Sequence, residues 1–275
     1  MNTLNKTFQR DASFPVRHMN FGFNARSGAL SDNPVMACYL ATLSAMFPAG
    51  ERYFVHSVRG LQHQAESAQL KKDIAAFIGQ EAMHAKEHQL LNDVVVASGI
   101  DSTPISRHVS DLMALLKARL SPHLQLAVTA AVEHFTAIMA RQIMRREDFH
   151  AHLGNAEMRK IWLWHAVEES EHKSVAFDLY REAGGQNWMR LLAMPPATIY
   201  MGLIMGGGTA LLALRDRKAW RIKDLREAWS ILLGRNGFIS TLGLDYLDYY
   251  RLSFHPNDHE SKALEDQMRA VLGLA

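Results

Sequence analysis

Glu81 and His84 stand three residues apart in FIGQEAMHAKEH, and Glu169 and His172 repeat that spacing in WHAVEESEHKSVAFD. On a helix such a pair projects from one face about one turn apart, so its carboxylate and imidazole can grip one metal ion together. The motif alone is weak: at this composition chance gives about 0.7 Glu-x-x-His pairs. A further one, Glu147/His150, lies in the charged stretch RREDFHAH and reads as solvated. Two lone glutamates add weight. In residues 124–140 only Glu133 and His134 are ionisable. A helix apolar on nearly every side is buried, and a carboxylate at its middle needs a cation. Glu51 is a similar case among Phe47, Tyr53, Phe54 and Val55, with Arg52 beside it as a conceivable salt-bridge partner.

The order is doubled. Glu51 comes before Glu81/His84, and Glu133 comes before Glu169/His172, each interval suiting one helical hairpin. Four carboxylates and two imidazoles from four antiparallel helices can meet at a bundle centre as a two-metal site. Glu81 and Glu169 are then the expected bridging ligands. Glu51 and Glu133 are the terminal ones and the expected catalytic carboxylates, and His84 and His172 each bind one ion. Four negative charges balance two divalent ions. Hard carboxylates with borderline imidazoles suit iron, with manganese or zinc as alternatives. His88, four after His84, and His165, four before Glu169, are either further ligands or hydrogen-bonded partners of the ligands. His134 points about 100° from Glu133 and is read as a packing or supporting residue. Glu168 and Glu171 face solvent or arginines. Met83, Phe135 and Trp164 are candidates for an apolar lining.

Helices must present these groups, and the chain reads as helical almost throughout, rich in Ala, Leu, Met, Gln and Glu. Ser31-Asp32-Asn33-Pro34 is a helix start. Pro48 predicts a break or fresh start, and Gly60 an end. Further helices are expected over 64–97, 106–119 and 122–148, and from Gly154-Asn155 to Gly184-Gly185. The expected architecture is all-α: an extension over 1–30, a four-helix di-metal bundle over 31–186, and an apolar helix with a helical tail over 187–275.

Residues 191–214 carry no charged side chain, which reaches transmembrane length. Pro195-Pro196 and Gly206-Gly207-Gly208 interrupt them, and a basic flank from Arg215 to Arg226 follows. Two readings stand: a buried helix whose glycines allow close packing on the bundle, or peripheral contact with a cytoplasmic membrane leaflet.

The 275 residues are 48% hydrophobic with a net charge of +2, enough for a continuous core and without the global charge that nucleic-acid binding leaves. No nucleic-acid partner is expected. A small-molecule, lipid-like substrate and a homodimer are compatible with the sequence. Cys38 is the single cysteine, so thiolate-rich zinc sites and intramolecular disulfides are excluded. Residues 1–25 have no export-signal core, and a cytoplasmic setting, peripheral to the inner membrane at most, is expected.

FPVRHMNF (14–21), FPAGERYF (47–54), FIGQEAMHAKEH (77–88), AVEHFTA (131–137), WHAVEESEHKSVAFD (164–178) and FHPND (254–258) together resemble the bacterial family of predicted metal-dependent hydrolases. The resemblance implies a ferritin-like four-helix bundle with additional C-terminal helices, and a metal site at Glu51, Glu81, His84, Glu133, Glu169 and His172. The fold analogy favours a di-iron enzyme that oxidises a small apolar substrate with dioxygen. The alternative is a metal-dependent hydrolase using a metal-bridging hydroxide. A non-enzymatic metal-binding or membrane-associated protein is the second alternative.

Overall fold

Asn33 starts the first helix. Its side chain accepts hydrogen bonds from the Val35 and Met36 N–H groups at 2.9 and 3.2 Å, and Pro34 fills the first turn. The computed structural model describes residues 12–24 and 27–274, so the extension expected over 1–30 and the reading of 1–25 fall partly outside the described residues. Helix α1 (Pro34–Leu61) does not break at Pro48. Pro48 has no N–H to give the Ser44 carbonyl four residues back. The Asn92 side chain donates to that carbonyl at 3.0 Å, and the Ser106 hydroxyl donates to the Ala45 carbonyl at 3.2 Å. Donors from two other helices thus carry α1 through the proline.

Helix α2 (Ala68–Ala97) is capped by Ser67, and α3 (Thr103–Arg119) follows. Ser121 caps α4 (Pro122–Arg145), which stops before the short α5 (Glu147–His150) rather than running on to 148. Asn155 caps α6 (Ala156–His172). The fourth long helix is interrupted at Lys173 and Ser174 before α7 (Val175–Glu182). Then come α8 (Asn187–Arg215), α9 (Ile222–Leu233), α10 (Gly243–Asp248) and α11 (Lys262–Leu272). The fold is all-α; the described residues contain no strand.

α1 packs on α2 and α4, and α6 packs on α4 and α2, which closes a ring of four helices. Two apolar clusters fill it. Leu40, Met83, Leu91 and Trp164 belong to one, and Tyr53, Phe77, Leu126 and Val175 to the other. Each helix passes from one cluster to the other near its predicted ligands. Glu51 lies between Ala49 and Tyr53, Glu81 between Phe77 and Met83, Glu133 between Ala131 and Ala140, and Glu169 and His172 between Val167 of α6 and Val175 at the start of α7. The polar groups therefore form a layer between two apolar caps.

α8 is buried on one face only. It packs on α1 and α4 through a face that includes Ala193, Met194, Gly208 and Leu212. At Gly208 a Cβ would come within 2.6 Å of the Thr42 side chain, so glycine sets that close approach. The other face stays open: Leu192, Ile199, Leu203 and Leu214 are each more than 60% exposed. By length and composition α8 is long and apolar enough to cross a membrane. α11 lies on α6 and α4, where the Ser170 hydroxyl donates to Glu265 at 2.7 Å.

The proline bypass makes a testable claim. Asn92→Ala leaves a buried carbonyl unpaired and should cost about 1–3 kcal/mol in denaturant unfolding. In a Pro48→Ala background the new N–H can pair with the Ser44 carbonyl, and the penalty should shrink. An equal penalty in both backgrounds would contradict the account.

Candidate metal centre

Six side chains nominated by the sequence, and His165 with them, meet in the layer between the two clusters. Their ligand atoms form two groups, Glu51/His84/His165/Glu169 and Glu81/Glu133/His172, and within each group the atoms lie no more than 4.8 Å apart. All are buried. Glu81 Oε1 is 3.1 Å from His172 Nε2 and 4.0 Å from His84 Nδ1. Glu169 Oε1 is 3.8 Å from His84 Nδ1, and Oε2 is 3.5 Å from His172 Nε2. These two carboxylates thus stand between the two imidazoles. Glu133 Oε2 lies 3.5 Å from His172 Nε2, and Glu51 Oε1 lies 3.8 Å from His165 Nε2, one glutamate toward each side.

The atoms that face inward have no hydrogen-bond partner. Both oxygens of Glu51, Glu81 and Glu133 are orphaned, as are Glu169 Oε2, His84 Nδ1 and His172 Nε2. Buried polar atoms are almost always paired, and an ionised carboxylate out of water is costly. Among the described residues no Lys or Arg forms an ion pair with any of the four glutamates, and Arg52 is exposed. Divalent cations fit this donor set: four carboxylates, hard oxygen ligands and imidazole nitrogens aimed at common points.

The outer nitrogens are held. His172 Nδ1 is 2.9 Å from Gln80 Oε1, while the Gln80 amide donates to the Pro15 carbonyl at 2.9 Å and to Glu171 at 3.0 Å. That fixes the amide with its oxygen toward His172, so Nδ1 carries the proton and Nε2 offers its lone pair inward. His84 Nε2 is 3.1 Å from Glu168 Oε2. A cation at Nδ1 would leave the ring proton on Nε2, where Glu168 accepts it. Arg17 donates to Glu168 at 3.1 Å and to Glu171 at 2.7 and 2.8 Å, and Arg269 also donates to Glu171. Glu168 and Glu171 thus meet arginines, as expected from their positions beside Glu169.

His88 and His165 separate in role. Ser44 Oγ lies 2.9 Å from His88 Nδ1, His88 Nε2 lies 2.8 Å from His165 Nδ1, and His165 Nε2 lies 2.8 Å from Glu169 Oε1. His88 supplies no atom to either ligand group and instead supports His165, whose Nε2 faces Glu51 and Glu169. The chain of hydrogen bonds can run in either direction, so His165 can donate to Glu169 or turn its lone pair inward. His134 points elsewhere, toward the Asp245 carbonyl at 3.0 Å, among Tyr249 and Phe254. Glu147 is exposed, and His150 pairs with the Ile143 carbonyl. A third group, Asp245/Asp248/His259, is only half-buried, and Arg141 and Arg251 already answer its charge.

Electrostatics follow the burial. Burial, then Glu81 and Glu169, hold Glu51 well above the usual carboxylate range, and burial and Glu169 do the same to Glu133. Burial lifts Glu81 to about 7 against the pull of His172. Burial opposes charge on Glu169 as well, but His165 and His172 outweigh it and hold this carboxyl well below the usual range. Burial disfavours the His172 cation, yet Glu169 and Glu81 raise its pKa well above that of a free imidazole; burial and His165 push His84 well below.

A cavity of about 670 Å³ reaches the layer from one side. Glu51, His165 and Glu169 line it together with apolar residues of α1, α3, α4 and α8. Met83, Phe135 and Trp164, expected in the lining, do not contribute to it. Trp164 packs edge-on against His84, with ring centroids 4.8 Å apart, and Phe135 packs on Tyr246. Phe47 and Phe54, at −4 and +3 from Glu51, line the cavity instead, because helical neighbours at those spacings share a face.

A family model described as a predicted metal-dependent hydrolase matches residues 15–260. No curated protein and no solved structure matches the chain.

Without cations, protons hold the layer together. Glu51, Glu81 and Glu133 have raised folded-state pKa values, so their contribution to metal-free stability is fully present below about pH 4.5 and lost as pH rises through the folded values. The melting-temperature gap between metal-loaded and chelated protein should therefore widen from about pH 5.5 to about pH 8, and metal binding should release protons. A gap that stays constant or narrows over that range would contradict this electrostatic reading.

Proposed function

The chain belongs to the predicted metal-dependent hydrolase family, and we propose that it is a hydrolase with two divalent ions held by Glu51, Glu81, His84, Glu133, Glu169 and His172. The observation that carries this is the buried layer of unpartnered carboxylate and imidazole atoms, three of whose residues face a cavity. We further infer a ferritin-like arrangement, on the doubled order of the ligands and the closed ring of four helices. Iron or manganese suits so carboxylate-rich a set, with zinc as the alternative.

Once bound, the ions would polarise the scissile group and make water acidic near neutrality. The chain's own residues do the rest. Glu81 and Glu169, each near both imidazoles, hold the two positions together. Glu133, sealed from the cavity, anchors the His172 side. Glu51 faces the cavity with both oxygens unpaired and is the group placed to take a proton from an attacking water. The apolar wall excludes bulk water and binds an apolar substrate.

A second reading, dioxygen-dependent oxidation by two irons, draws on the mainly apolar cavity wall, whose few hydroxyls offer little to orient a polar leaving group. Activity assays separate the two. The hydrolase reading expects anaerobic turnover of an apolar ester by the metal-loaded chain, abolished by chelation. Glu51→Gln should lower kcat at least about 100-fold. Dioxygen uptake after reduction without ester turnover would favour oxidation, and metal uptake with no turnover of either kind would point to a non-enzymatic role.

A further inference from the structure

The cavity does not end at the metal layer; it runs past it. On α4 the lining residues are Ser121, Leu124, Val128 and Val132 before Glu133, then Thr136, Met139, Ala140 and Ile143 after it. At 1.5 Å per residue the lined wall extends roughly 18 Å to one side of Glu133 and roughly 15 Å to the other. On α1 the lining runs from Leu43 to Phe54, eight residues before Glu51 and three after it; α3 contributes from Val109 to Leu116 and α8 from Trp188 to Met201. Glu133 fixes the level of the layer on α4 through its contact with His172. Glu51, His165 and Glu169 supply the carboxylates and the imidazole of the lining; apart from the hydroxyls of Tyr53, Ser121, Thr136 and Tyr200 the rest of it is mainly apolar. Ser121, Trp188, Leu192 and Pro196 are exposed and mark its mouth.

We propose that this cavity is a two-armed tunnel, and that the substrate is a linear molecule with hydrocarbon on both sides of its reacting bond. On the hydrolase reading, on which this inference rests, the substrate is an ester of a long-chain acid with an apolar alcohol. A substrate with a charged group on one side would have to bury it among Leu124 and Val128 or among Met139 and Ile143, where the lining offers a few hydroxyls but no opposite charge. Hydrolysis would break the acyl C–O bond, place the water oxygen on the acyl carbon and return a proton to the alcohol oxygen. Both products keep one apolar arm.

The test needs no turnover. N-alkyl amides, which keep the ester's carbonyl and its two distinguishable arms but hydrolyse far more slowly, are titrated into the metal-loaded protein, with intrinsic tryptophan fluorescence and calorimetry as readouts. Lengthening either arm should tighten Kd about threefold or more per methylene until that arm is full. Val128→Trp should abolish the length dependence of one arm only and Met139→Trp that of the other, with metal content unchanged. Length dependence in a single arm, or none, would overturn the two-armed tunnel, and the wild-type series decides this even if a variant fails to fold. Amide binding with two-arm dependence but no ester cleavage would leave the tunnel standing and overturn the hydrolase reading alone.

Discussion

Four buried carboxylates crowd together with no lysine or arginine paired to them among the described residues, and that crowding governs the molecule. In a medium of low dielectric, like charges a few ångströms apart repel strongly and each pays for lost hydration. The chain offers only imidazoles in return, and of the four carboxyls His165 and His172 bring Glu169 alone below the usual range. Protons can relieve the rest, which is why burial drives Glu51, Glu81 and Glu133 upward. Divalent cations relieve it better, because they neutralise all four groups and use the lone pairs that protons leave idle.

The surrounding structure serves that layer. Apolar clusters above and below it seal it, and each of the four helices changes cluster where its ligands stand. Outside it, Arg17 ties Glu168 and Glu171 together. Glu168 reaches His84, and Glu171 steadies the Gln80 amide that orients His172. A segment ahead of the first helix therefore helps set the orientation of imidazoles on α2 and α6. This is the outer support that metal-binding histidines usually require. On the opposite flank, Ser44 and His88 hold His165 in the same manner.

Much of this was legible in the residues. The all-α class followed from composition and helix punctuation, and the side chains that meet in the layer were marked by spacing and by ionisable groups set in apolar runs. What escaped has physical causes. Pro48 predicts a break because the donors that rescue it, Asn92 and Ser106, come from helices that sequence order cannot place beside α1. Met83 and Phe135 stand one or two residues from ligands, and residues at that spacing on a helix point to different sides. Gln80 gave a faint signal, a polar residue in an apolar run next to Glu81; Arg17 gave none beyond its place in FPVRHMNF. α8 reads as either buried or membrane-facing because one face packs closely at Gly208 while the other stays exposed.

The most direct measurement is the number of divalent ions per folded chain, counted by native mass spectrometry and elemental analysis after loading with iron, manganese or zinc. The account predicts two ions for the wild-type chain and at most one for Glu133→Ala. A wild-type chain that folds with its carboxylates buried and retains no ion, or a Glu133→Ala chain that keeps the full complement, would contradict it.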